Sequence, residues 1–207
     1  MSLNKILFAV AIFSFLIFLF SCGETDEKKT SKAPMKDYKD PAVLLHEAKN
    51  ALGENTKTAH LGRFESNVEN EVVAGTEINT KDEWGIKFAL LKITNNDLKK
   101  IYETDLLDGS FNSSLVSKIK LPSTGYELIY YNSQGYFLGS GGGEIFSYLI
   151  DFNVRKIFYA HLVIEPKEIS LYISDNIENP DIKNFFINNF KKDYPSLTLV
   201  SKDIEID

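Results

Sequence analysis

Residues 126–175 read YELIYYNSQGYFLGSGGGEIFSYLIDFNVRKIFYAHLVIEPKEISLYISD, apolar and aromatic runs separated by short polar breaks. The runs fall at Tyr126–Tyr131, Tyr136–Leu138, Glu144–Phe152, Lys156–Glu165 and Glu168–Asp175, and are rich in the residues that favour strands. The breaks Asn132–Gly135, Asn153–Arg155 and Pro166–Lys167 are too short for crossover helices. Consecutive strands must therefore turn back on one another, which predicts an antiparallel meander. Directly after it, Asn179-Pro180 opens a helix with Ile182, Phe185, Phe186 and Phe190 along one face. Pro195 ends that helix, and Leu197–Val200 reads as a last strand. An apolar helix face next to a meander has one economical place to go, the face of the sheet.

Working back toward the N-terminus, Asp40 and Pro41 fit the cap and first position of a helix. Val43, Leu44, Ala48 and Leu52 follow at helical spacing, and Gly53 stops it. Short strands are expected near Ala59–Phe64 and Glu71–Ile78, and a buried strand over Trp84–Ile93. Asn95 or Asn96 is expected to cap a short helix through Leu98, Ile101 and Tyr102. The fold class is thus α+β: an antiparallel β-meander in the C-terminal half packed by a C-terminal helix, with a smaller mixed α/β N-terminal part. No internal repeat is visible.

The front of the chain has a different character. Ile6–Phe20 is apolar apart from Ser14 and follows Lys5, a pattern that describes a secretory signal and falls short of a spanning helix. It ends in Leu19-Phe20-Ser21-Cys22, and Cys22 is the one cysteine of the chain. A lone thiol in an exported protein has no internal disulfide partner. The four residues resemble the lipobox of bacterial lipoproteins, although Phe20 departs from the usual small or aliphatic residue at its position. The resemblance covers the first 22 residues. It implies a diacylglyceryl group on the Cys22 thiol, cleavage before Cys22 and acylation of the new amine. Several acyl chains make a firm anchor, at about 0.8 kcal/mol per buried CH₂.

Gly23, where enteric inner-membrane lipoproteins carry Asp, implies the outer membrane by the same resemblance. Glu24, Asp26 and Glu27 resemble the acidic export tags of Bacteroidota lipoproteins. The segments expected are 1–21 signal peptide, 22–39 acylated cysteine and flexible polar tether, and 40–207 one α+β domain. A tether of that length has an r.m.s. span of about 20–25 Å.

Composition narrows the function. The 207 residues are 43% hydrophobic and 25% charged, an ordinary globular mix. The net charge of −6, or −7 without the first 21 residues, opposes phosphate backbones, and Arg63 and Arg155 are the only arginines. Neither nucleic acid nor nucleotide is an expected partner, and no cofactor is expected.

Short motifs mislead here, because each lacks a part. Leu121–Gly125 spells the LPxTG sorting signal without the C-terminal apolar segment it needs. Ser117 and Lys120 spell SxxK, and Ser174-Asp175-Asn176 spells SDN, but no KTG follows. Gly139–Gly143 could cradle phosphate, yet Glu144 stands where a P-loop would need lysine or a dinucleotide loop its third glycine. His46-Glu47 begins HExxH, but Asn50 replaces the second histidine, so no metal site is expected.

Aromatic residues are the remaining signal: 13% of the chain, with ten tyrosines. Tyrosine suits both cross-strand packing and contact surfaces. Tyr130, Tyr148, Tyr159 and His161 are the expected ligand- or partner-binding residues, and no catalytic residue is assigned. The function expected is a membrane-anchored cell-envelope lipoprotein that binds without catalysing. Its partners would be the membrane, through Cys22, and a protein or glycan. A lipid-anchored immunity or inhibitor protein is one alternative, and an envelope hydrolase with dispersed residues is another.

Overall fold

The computed structural model describes residues 35–65, 69–109, 115–133, 142–174 and 177–201. Helix α1, Pro41–Leu52, begins where Asp40 accepts a hydrogen bond from the Ala42 N–H at 2.8 Å, and ends at Gly53, φ 107°. Four strands follow: β1 Thr56–Gly62, β2 Glu71–Asn79, β3 Trp84–Thr94 and β4 Asp97–Glu103. They pair antiparallel in chain order as a four-stranded sheet.

Strand β4 replaces the helix expected after Asn95–Asn96. Both asparagines take positive φ, 53° and 67°, which makes a two-residue hairpin turn of the kind whose twist matches the strands it joins. Asparagine caps helices and fills such turns equally well, and here pairing with β3 decides.

The second sheet contains β5 Val116–Ile119, β6 Leu128–Asn132, β7 Gly143–Asp151, β8 Lys156–Ile164, β9 Ile169–Ile173 and β10 Thr198–Ser201. Strands β6 to β9 follow the expected meander, β5 extends it antiparallel beside β6, and β10 lies parallel to β9. A parallel neighbour requires a crossover, and helix α2, Pro180–Asp193, supplies it. The Asn179 side chain accepts from the Asp181 N–H at 2.9 Å to start that helix. The expected strand at Tyr136–Leu138 lies outside the described residues. Leu121–Gly125 is a turn, with the Thr124 N–H bonded to the Leu121 carbonyl, and Ser117 is on a strand.

Three apolar clusters stack these elements as helix, sheet, sheet, helix. Leu44 and Ala48 of α1 pack on Val72, Ala74 and Leu91. Between the sheets, Phe64, Val73, Ile86, Phe88 and Leu90 meet Ile129, Tyr131, Tyr148, Ile150 and Phe152. On the far side, α2 buries Ile182, Phe186 and Phe190 against Leu128, Tyr130, Leu149, Leu162 and Leu171. No helix among the described residues is long and apolar enough to cross a membrane.

Polar contacts fix the corners. The Glu71 carboxylate, 1% exposed, accepts from the Phe64 and Glu65 N–H groups at 2.6 and 2.8 Å, and so sets Phe64 between the sheets. Ahead of α1, the Lys36 N–H donates to Asn96 Oδ1 at 2.8 Å and Tyr38 Oη to the Asn96 carbonyl at 2.9 Å. Among the described residues, fixed contacts therefore begin at Lys36, before the Asp40 cap.

Candidate functional site

The register of β6 to β9 sorts the aromatic side chains into two rows on the face turned toward the N-terminal sheet. Tyr131, Tyr148 and Tyr159 lie directly opposite one another across β6, β7 and β8. Phe146, His161 and Tyr172 do the same across β7, β8 and β9. Cross-strand neighbours on one face are close enough for their rings to touch. Tyr131 and Tyr148 stack at 5.9 Å, Tyr148 and Tyr159 meet at 5.3 Å, and Phe146 lies flat against His161 at 4.5 Å and 12°.

The rows differ in burial. Tyr131, Tyr148 and Tyr159 belong to the inter-sheet core, opposite Ile86 and Phe88. Phe146, His161 and Tyr172 are half-buried. Sheet width gives the reason: four strands face six, and no residue of β9 or β10 belongs to the inter-sheet core.

The second row carries the titratable groups. Glu144, two residues before Phe146, shares its face and brings Oε2 to 3.3 Å from His161 Nε2. The nitrogen is enclosed, and the geometry falls outside that of a hydrogen bond. The two side chains keep 20% and 42% of their surface in solvent. Burial pushes the His161 imidazole below its ordinary pKa, and the Glu144 charge offsets only part of that. Burial pushes the Tyr159 hydroxyl far up, helped by Tyr148, Asp108 and Glu144, so it stays neutral. Chemically, the arrangement is a platform of flat ring faces with one carboxylate beside it.

Tyr130 stands elsewhere. It points to the other side of the sheet, under α2, where Asn189 Nδ2 donates to its hydroxyl at 2.7 Å and Ser147 Oγ lies at 3.3 Å. Its ring meets Phe185 edge-on at 5.0 Å. Tyr148, Tyr159 and His161 are thus brought together, and Tyr130 is a docking point for the helix. Cys22 lies outside the described residues. Glu144, Phe146 and Tyr172 complete the platform, and the signal for them is the β7–β8 turn: pairing Asp151 with Lys156 places Phe146 opposite His161 and Glu144 opposite Val163.

The other histidines are separate from this cluster. His60 sits on β1, 3.0 Å from Thr58 Oγ1, and His46 is exposed on α1. Among the described residues, no group of three or more His, Cys, Asp or Glu side chains is placed to hold a metal ion. Compared with protein-family models, with curated proteins and with solved structures, the chain has no match.

The buried imidazoles make a testable demand on stability. His161 and His60 are both held below the usual 6.5, by burial and, for His60, also by Lys118. On acidification the unfolded chain takes up protons at these positions before the folded chain does. Stability therefore falls as pH drops below about 6.5, until the folded state also protonates. Melting temperatures between about pH 5 and 8 should be flat at the upper end and decline below it. The decline should be shallower in His161→Gln. A melting temperature that rises on acidification would contradict the buried imidazoles.

Proposed function

We propose that this chain is a lipid-anchored protein of the cell envelope, acylated at Cys22, and that it binds a partner without catalysing a reaction. The apolar run Ile6–Phe20 ending in Leu19-Phe20-Ser21-Cys22 is the observation that carries the anchor. The polar stretch after Cys22 suits a tether. Binding is supported by the half-buried ring platform of Phe146, His161 and Tyr172, whose partner would be a protein or a glycan stacking on exposed ring surface. The outer membrane is the location we favour, from Gly23 after the cysteine.

Labelled palmitate should enter the wild-type protein and be absent from Cys22→Ala. Equal labelling of the two would remove the anchor from this reading. Crosslinking in whole cells tests the platform, because Tyr172→Ala should lose crosslinked partner while its melting temperature changes little. Undiminished capture would place the contact surface elsewhere.

A further inference from the structure

Strand β1 is an edge, and most of that edge is already closed. Alternate residues of an edge strand turn their N–H and C=O groups outward. Past the bulge between Thr56 and Thr58, these are the odd-numbered residues from Ala59 to Arg63. The Arg63 N–H donates to Glu127 Oε2 at 2.9 Å, and the Arg63 carbonyl accepts from the Glu127 N–H at 2.7 Å. The Leu61 carbonyl accepts from Lys118 Nζ at 2.6 Å, and Lys118 pairs with Glu127 at 3.3 Å. Ala59, two residues earlier in the same unbroken register, turns the same way. Among the described residues, the outward groups left without a partner on this stretch are the Leu61 N–H and both backbone groups of Ala59.

These three groups front a groove of about 400 Å³. Pro41 and Leu44 supply apolar lining on the α1 side. Its charged lining residues are Lys39, Lys118 and Glu69, and the Lys118 ammonium stands at the Leu61 end, where it also pairs with Glu127.

We propose that this groove binds the free C-terminus of an extended peptide lying parallel to β1. In a parallel ladder, the carbonyl of the third-last peptide residue takes the Ala59 N–H. The last residue donates its N–H to the Ala59 carbonyl and places its carboxylate on the Leu61 N–H. A longer peptide would next offer an N–H to the Leu61 carbonyl, where the Lys118 ammonium already donates. An antiparallel peptide meets the same obstacle opposite Leu61. The peptide must therefore end at this point, and its carboxylate comes to rest beside Lys118. The penultimate side chain shares the face of Ala59, toward Pro41 and Leu44, which selects an apolar residue there. Nothing in this depends on the lipid anchor.

The test uses the full-length chain, solubilised in mild detergent and immobilised. The probe is a pool of hexapeptides randomised at the last three positions, prepared as free acids and as C-terminal amides, with captured peptides read by mass spectrometry. Acids should be retained about tenfold or more over amides, with apolar residues enriched at the penultimate position. Ala59→Pro should abolish retention. The Ala59 N–H makes no bond within the sheet, so proline at this edge leaves the β1–β2 ladder intact. Should that variant fail to fold, Lys39→Glu, an exposed change, should still weaken retention severalfold. Equal retention of acids and amides, or no enriched peptide at all, overturns the proposal.

Discussion

Phe186→Ala is expected to lower the unfolding free energy by about 3–5 kcal/mol. Phe186 is fully buried on α2, with its ring 6.5 Å from Tyr130 and 5.9 Å from Phe185. Tyr130 is in turn fixed by Asn189 of the same helix, so its surroundings have little freedom to collapse into the space left by the ring. A typical domain has only about 5–15 kcal/mol in total, so the loss is a large share. Urea unfolding should show a lower midpoint with little change in slope. Lys183→Ala, exposed on the same helix, should stay within about 0.5 kcal/mol and serves as the comparison. A Phe186→Ala variant as stable as the Lys183→Ala variant would mean that α2 does not pack as described.

Glu71→Ala should cost a similar amount, about 3–5 kcal/mol, for a different reason. A hydrogen bond to a charged group contributes about 1.5–3 kcal/mol, and here one carboxylate oxygen accepts two. Alanine would leave the Phe64 and Glu65 N–H groups without that acceptor at the edge of a packed core. Phe64 would lose the restraint that holds it against Phe152 at 6.2 Å. Glu71→Gln keeps an acceptor oxygen and should lose less. If Glu71→Ala unfolds at the wild-type urea concentration, the carboxylate is dispensable and the corner holds by packing alone.

Much of this architecture was legible because local signals agreed with one another. Asp40-Pro41 and Asn179-Pro180 each cap a helix where expected, and the breaks at 153–155 and 166–167 each close a hairpin. Asn95–Asn96 suits a helix cap and a hairpin turn alike, because a single residue type satisfies two local geometries, and only pairing with β3 distinguishes them. The candidate site was half legible. Once the β7–β8 turn is placed, Tyr148 must face Tyr159 and Phe146 must face His161. The β6–β7 connection spans residues 133–142, too long to fix register, and the adjacent Tyr130 and Tyr131 differ only in which way the strand is turned. That choice sends Tyr131 into the inter-sheet core and Tyr130 under α2. The edge groups of Ala59 and Leu61 carry no sequence signal, since any residue brings the same backbone.

The two sheets are built from separate lengths of chain, the first complete by Glu103 and the second beginning at Val116. Every ladder of the first sheet can therefore close before any strand of the second has formed. Its outer face would already be covered by α1, but Val73, Ile86, Phe88 and Leu90 would look out on water until the second sheet arrives. For that interval the chain shows a greasy, half-finished surface, and a chaperone able to shield it would meet this protein at its most vulnerable moment.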